Sequence, residues 1–385
     1  MIYKIEEFVC PLCGNKDKRF IGYLNKKPYC RKCIEFCGEN YDENENKNIR
    51  NYKSFISYEL SKDQKEISSK LIENLKNRKN TLIYAVCGAG KTELVFGVIE
   101  YSLKRNLKVG FAIPRKDVVI ELANRLKTTF MQNKVISLYG GHNKDLYGDI
   151  TVLTTHQLYR FEKEFDLLIL DEIDAFPFKD NEVLENIFKR SIKGNFIMMS
   201  ATPSDRILNM FKKNNDSILT LFTRFHRHPL PVPKIKIIPE FLRIYYVVDT
   251  LNKYKKENKK VLIFLPTIDM SIAFFNILKI FVKNGNVVNS KSIYRNEIIN
   301  DFRNDKYFYL VTTAVLERGV TLKNLQVLII NADHEEYDKA ALIQISGRVG
   351  RKKEFPDGDV IYVAKKKTPS MLDSIREIEH YNTFL

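Results

Sequence analysis

Lys91 and Thr92 close a loop, Ala85-Val86-Cys87-Gly88-Ala89-Gly90-Lys91-Thr92, whose residue types suit the holding of a chain of phosphates. Gly88 and Gly90 let the backbone turn tightly, so that successive N–H groups, that of Ala89 included, and the N-terminus of a helix opening near Glu93 face phosphate oxygens. Lys91 is then placed to bridge the β- and γ-phosphates of ATP, and the Thr92 hydroxyl to hold Mg2+. Ala85 stands where the strict pattern has glycine. Cys87, inside the loop, reads as a small filler rather than a nucleophile. Taken alone, the loop also fits a chance glycine turn before a helix.

A second group settles that choice. The apolar run FDLLIL ends in Asp171-Glu172, about 80 residues after the loop. Asp171 suits Mg2+ held through water, and Glu172 suits polarisation of an attacking water. An acidic pair after a strand is by itself often a solvated turn; following a phosphate loop in this order, it becomes the other half of a nucleotide site. A third group is Gln344-Ile345-Ser346-Gly347-Arg348-Val349-Gly350-Arg351. Arg348 and Arg351, three apart and expected on one helical turn, suit stabilisation of charge on a transferring γ-phosphate from a second lobe. The bland reading is a basic surface helix, but Gly347 and Gly350 are poor helix formers and point to close backbone approach.

A fourth group is chemically separate. Cys10-x-x-Cys13 and Cys30-x-x-Cys33 stand 16 residues apart, the spacing of a four-thiolate structural Zn2+ site. Cys37 is a surplus thiol, either an alternative to Cys33 or free. The segment 14–32 carries seven Lys or Arg against one Asp. It fits a grip on phosphates and a solvated loop equally well, and Phe20, Tyr23 and Tyr29 offer stacking surfaces or the packing of a tiny core.

The elements that must position these groups follow from the apolar pattern. Short runs, TLIYAV (81–86), KVGFAI (108–113), DLLIL (166–170) and NFIMMS (195–200), alternate with amphipathic stretches. The same alternation resumes with KVLIFL (260–265), FYLVTT (308–313), LQVLII (325–330) and DVIYVA (359–364). Such a pattern predicts parallel sheets covered on both faces. Four prolines within 226–240 place a hinge between two lobes. The expected fold is therefore α/β: two RecA-like parallel-sheet lobes in tandem, at 51–230 and 231–385, preceded by a zinc-knuckle or zinc-ribbon module and polar linker at 1–50.

At 385 residues, 44% hydrophobic and 29% charged, the chain reads as globular with more than one core. No run approaches the roughly 18 apolar residues of a transmembrane helix. Two glutamates stand where a signal peptide would be apolar, so a cytoplasmic location is expected. A net charge of +16 fits a polyanionic partner, and it also fits the Lys- and Asn-rich coding of an AT-rich genome.

The loop at 85–92, Asp171-Glu172-Ile173-Asp174, Ser200-Ala201-Thr202 and the QxxGRxGR run at 344–351 stand in the order of superfamily 2 helicases, which the chain resembles over roughly 55–365. Gln64 lies where many relatives carry an adenine-reading glutamine, and Pro114-Arg115 where they carry a nucleic-acid motif. The run 302–321 resembles a further motif, with Thr321 where DEAD-type relatives carry an acidic residue, so no ribose contact is carried over. Within the superfamily, Thr154-Thr155-His156-Gln157-Leu158 with LERGVT and QISGRVGRK resembles the ComFA family of competence ATPases. That resemblance implies a single-stranded-DNA-dependent ATPase that draws transforming DNA into the cytoplasm at the inner face of the membrane. ComFC, a DNA-processing protein and a membrane channel are its implied partners. It carries Gly319 and Gln344 over as nucleotide contacts. Expected DNA contacts are Arg115, Thr154, Thr155, His156, Thr312 and Thr313, mainly to backbone; His156 also fits a packing role. A PriA-type replication-restart helicase, an RNA helicase and a non-hydrolysing DNA-binding scaffold are the competing readings. Knuckles ahead of the core argue against the first, and intact Lys91, Asp171, Glu172 and Arg348 against the last.

Overall fold

The computed structural model describes residues 8–24, 27–34, 36, 59–142, 145–313 and 322–385. Cys37, the polar stretch 39–51 and Gly319 lie outside the described residues. The chain divides into two compact units, one of residues 1–84 and 91–220, the other of 85–90 and 221–385.

The first unit begins with a small antiparallel hairpin of β1 (Ile21–Leu24) and β2 (Lys27–Cys30). Its main sheet uses β3 (Thr81–Ala85), β4 (Val109–Ile113), β5 (Val135–Leu138), β6 (Ile150–Thr154), β7 (Phe165–Leu170), β8 (Ile192–Ser200) and β9 (Ser217–Leu221). The strand order is β5-β6-β4-β7-β8-β3-β9. From β5 to β3 every pairing is parallel. Helices α1 (Lys62–Lys76), α2 (Lys91–Leu94), α3 (Phe96–Leu103), α4 (Lys116–Thr129), α5 (Glu182–Ser191) and α6 (Asp205–Lys213) accompany it. Every residue of β4 and β6 is buried, which is why these strands read as continuous apolar runs rather than as alternating ones. Helix α1 starts on a reciprocal cap: Ser61 Oγ accepts from Gln64 N, and Gln64 Oε1 accepts from Ser61 N at 2.9 Å.

The second unit holds a six-stranded sheet in the order β10-β15-β14-β11-β13-β12, parallel throughout. Its strands are β10 (Lys234–Ile237), β11 (Lys260–Phe264), β12 (Gly285–Val288), β13 (Tyr309–Thr312), β14 (Leu325–Ile330) and β15 (Val360–Ala364). Its helices are α7 (Arg243–Lys256), α8 (Ile268–Phe281), α9 (Arg295–Arg303), α10 (Lys339–Ser346) and α11 (Pro369–Asn382). Buried side chains lie on both faces, Leu262, Leu310 and Val327 on one and Val261, Ile263 and Leu328 on the other.

The proline-rich stretch lies inside the second unit, and part of it is a strand. β10 runs between Pro233 and Pro239 at the sheet edge, where a missing N–H costs no ladder bond. Arg348 and Arg351 do not share a helical turn. α10 stops at Ser346, Gly347 caps it, and Gly350 takes φ +70°. The glycines that weakened the helical reading are the reason it ends there.

Candidate nucleotide site and zinc centre

In the first unit, functional groups gather at the carboxyl ends of parallel strands, where open α/β sheets bind ligands. Lys91 and Thr92 follow β3, Asp171-Glu172 follows β7, and Ser200 ends β8, with Ala201-Thr202 after it. Arg115 follows β4 and Thr155-His156 follows β6. Gly88 and Gly90 take φ +85° and +78°, values that favour glycine in the loop ahead of Lys91.

Asp171 N donates to Ala112 O at 3.0 Å, which ties the acidic pair to the neighbouring strand. Glu172 N donates to Asp171 Oδ1 at 2.8 Å, and Glu172 holds φ +55°, an uncommon conformation for a non-glycine residue. Burial pushes Asp171 up to about 7, the Glu172 charge adds to that, and the Lys91 charge opposes it. A crowded carboxylate pair beside an ammonium is an arrangement that a divalent cation would stabilise. Thr202 Oγ1 donates to Asp174 Oδ2 at 2.7 Å, and Thr202 N to Ser200 Oγ at 2.9 Å. The Ser-Ala-Thr turn is thereby hydrogen-bonded to the acidic segment. Gln64 is buried, with its Oε1 engaged in the α1 cap.

In the second unit, Gln344 is buried and its Oε1 accepts from Cys87 Sγ at 3.1 Å. Cys87 thus packs as a small buried residue. A Cβ on Gly347 would stand 2.5 Å from Cys87 Cβ, so the backbone does approach closely at that glycine. Arg348 is 1% exposed, and Arg351 Nε donates to Gly347 O at 2.9 Å.

The residues expected on nucleic acid differ in accessibility. Arg115 is partly exposed and paired with Asp117 at 2.7 Å. Thr155 and Thr312 are fully buried, and Thr312 Oγ1 donates to Thr313 O. Thr154 and Thr313 are nearly so. His156 stacks on Phe36, with ring centroids 6.0 Å apart and planes at 25°.

That stack belongs to a second centre. The Sγ atoms of Cys10, Cys13, Cys30 and Cys33 all lie within 4.8 Å of one another. The Cys10–Cys33 and Cys13–Cys30 separations are both 3.8 Å. Four sulfurs about 2.3 Å from a central zinc at tetrahedral corners stand about 3.8 Å apart, so the four thiols fit the ion. Burial pushes the Cys13 thiol up to about 11 and raises Cys33 further. Thiols so placed gain from a cation that holds them ionised. The knuckle turns at Gly14, whose N donates to Cys10 O at 2.8 Å.

The cysteine module is packed onto the first unit by contacts that no local pattern announces. Asn186 of α5 donates through Nδ2 to Cys13 O at 2.8 Å. Val183 packs against the cysteines, while Leu12 and Phe36 pack against the core that includes Leu158 and Tyr159. Phe36→Ala is expected to retain zinc yet weaken this docking by about 2 kcal/mol, the worth of one largely buried ring. Hydrogen exchange should then quicken at residues 155–160; unchanged exchange there would show that the module does not brace that turn.

Known proteins resemble this chain in sequence and in fold. Residues 57–205 match the family described as Type III restriction enzyme, res subunit, and residues 234–353 match the Helicase conserved C-terminal domain. Competence protein ComFA of Bacillus subtilis is 33% identical across 97% of this chain and 85% of its own length. Its counterpart in Streptococcus pneumoniae is 33% identical across 84% of this chain and 77% of its own. Among solved structures, S. cerevisiae Dbp5 bound to RNA and ADP BeF3 has a TM-score of 0.62 at 16% identity, covering 85% of this chain and 92% of Dbp5. RecG bound to a three-way DNA junction has a TM-score of 0.59 at 18% identity, covering 84% of this chain and 45% of RecG. With paired helicase domains and 33% identity to two competence proteins over most of the chain, the chain is a helicase-type ATPase that belongs to the ComFA family.

Proposed function

We propose that the protein spends ATP to move along single-stranded DNA and that this movement draws transforming DNA into the cytoplasm. The observation that carries the reading is the meeting of Lys91, Asp171 and Glu172 at one end of the first sheet, with the Lys91 charge acting on Asp171. In this reading Gly88, Ala89 and Gly90 present N–H groups to the phosphates, and Lys91 neutralises the β- and γ-phosphates. Thr92 and Asp171 hold Mg2+, and Glu172 orients the attacking water. Arg348 and Arg351 stabilise the charge that develops as the γ-phosphoryl leaves. Gln64, Gly319 and Gln344 complete the nucleotide contacts. Alternation between ATP-bound and released states then advances the strand, held through Arg115, Thr154, Thr155, His156, Thr312 and Thr313.

The zinc module is structural in this scheme, with four protein thiolates and no open position for substrate. Among the described residues no helix is long and apolar enough to cross a membrane. In this reading the protein works at the inner face of the membrane with partners, and the ComFA resemblance implies ComFC, a DNA-processing protein and an uptake channel.

The deciding experiment is the steady-state ATPase rate against single-stranded DNA, duplex DNA and RNA in parallel. Stimulation is expected from the first alone. It should weaken steeply as salt rises, because backbone contacts release counterions in proportion to the phosphates neutralised. A preference for RNA or for forked duplex would overturn the reading.

A further inference from the structure

Arg224 lies just past β9, in the segment Leu221-Phe222-Thr223-Arg224-Phe225-His226 that precedes the prolines. It is 2% exposed, although nothing in its local sequence marks it as a core residue. Its Nη1 donates to Gly350 O at 2.9 Å and its Nη2 to Val349 O at 2.8 Å. His226 Nε2 stands 2.9 Å from the same Gly350 O. These carbonyls belong to the turn between Arg348 and Arg351. The turn is closely packed at Gly350 as well: a Cβ there would stand 2.0 Å from Pro356 O and 2.8 Å from Arg224 Nη1.

A buried guanidinium normally has a carboxylate partner. Among the described residues Arg224 forms no ion pair, and its Nε is buried without a hydrogen-bond partner. Burial and the like charge of Arg351 pull it down to about 10, which leaves it a cation at neutral pH. Gly88, which groups with this unit, adjoins it: a Cβ on Gly88 would lie 3.8 Å from Arg224 Nε. Phe225 N donates to Gly88 O at 3.3 Å. The planar fork of arginine can hold two adjacent carbonyls at once; a lysine ammonium holds them only as a point charge.

We infer that Arg224 is a positioning residue for ATP turnover: it fixes the Val349–Gly350 turn and so the direction in which Arg348 and Arg351 present their guanidinium groups. The inference rests on the assignment of those two arginines to the nucleotide site.

The test compares Arg224→Gln, Arg224→Lys, Arg351→Gln and the double variant Arg224→Gln/Arg351→Gln in the full chain, each rate divided by the folded fraction from its thermal melt. Misaimed guanidinium groups should lower kcat for ATP by about 10- to 100-fold, with KM changed far less. Arg224→Lys keeps the charge without the fork and should stay with the glutamine variant. The double variant should lose less than the product of the two single losses, because the part of the Arg224 effect that runs through Arg351 is absent once Arg351 is gone. Losses that multiply in the double variant, wild-type turnover in Arg224→Lys, or a deficit that vanishes on correction for the folded fraction would overturn the inference alone. Wild-type turnover in Arg351→Gln would bring down the arginine assignment and this inference with it.

Discussion

Glu172→Gln should lower the ATP turnover number by about 100-fold or more, the usual worth of a positioned general base, while nucleotide and DNA binding persist. The substitution exchanges a carboxylate for an amide of nearly the same shape. Glu172 sits at φ +55°, and glutamine meets the same backbone restriction there as glutamate, so the loss reports the charge and not a local rearrangement. Lys91→Ala should also nearly abolish turnover by a different route, since it removes the ammonium that opposes the crowding of Asp171 as well as its contact to the phosphates. Nucleotide affinity should therefore fall in Lys91→Ala and hold in Glu172→Gln. ATP hydrolysis and binding of a nonhydrolysable analogue, measured side by side, check the split. Undiminished turnover in either variant would remove the assigned chemistry.

The parts of this site that the sequence discloses are those whose chemistry admits few residue types. A phosphate loop needs glycines and a lysine at fixed spacing, and β4, β6 and β14, buried on both faces, leave unmistakable apolar runs. Structural zinc needs paired cysteines, and the four expected thiols do converge. What is hidden in the sequence is either short and half-exposed or long-range. β12 (Gly285–Val288) has a single buried residue and no clear period, and β10 falls among prolines that argue against a strand until its edge position is known. Arg224 stands 125 residues from the Val349 carbonyl it holds, just ahead of the proline-rich stretch. Phe36 follows the last knuckle and meets His156, far along the chain. Neither contact has a local signature, because the partner's arrival is decided by the packing of whole elements. The arginine pair is intermediate: its residues were legible, but the helix expected to carry it ends at Ser346 because two glycines follow.

Replacement of Cys10 and Cys30 by serine should release zinc and unfold the N-terminal module while the two sheets stay folded. The hairpin β1–β2 pairs only four residues a side, and the cysteines Cys10, Cys13 and Cys30 make up the buried part of its core. A core that small cannot offset chain entropy, so the ion must supply most of the stability; structural zinc sites contribute about 10–16 kcal/mol near neutral pH. Each sheet of the core, by contrast, is sealed by its own apolar side chains, which no cysteine–metal bond reaches. The variant should therefore show two separable effects. Metal analysis and near-ultraviolet signals from Tyr23 and Tyr29 should report loss of the module, while ATP turnover without DNA stays near that of the native chain. Because Phe36 leaves its stack with His156 when the module unfolds, stimulation by DNA should fall even though the basal rate does not. A strong chelator applied to the unaltered protein should reproduce both effects, reversibly on return of zinc. Full metal retention in the double-serine variant would place the ligands elsewhere. Zinc loss with unchanged stimulation by DNA would show that the module, although folded by the metal, is not what holds the Thr155–His156 turn in place.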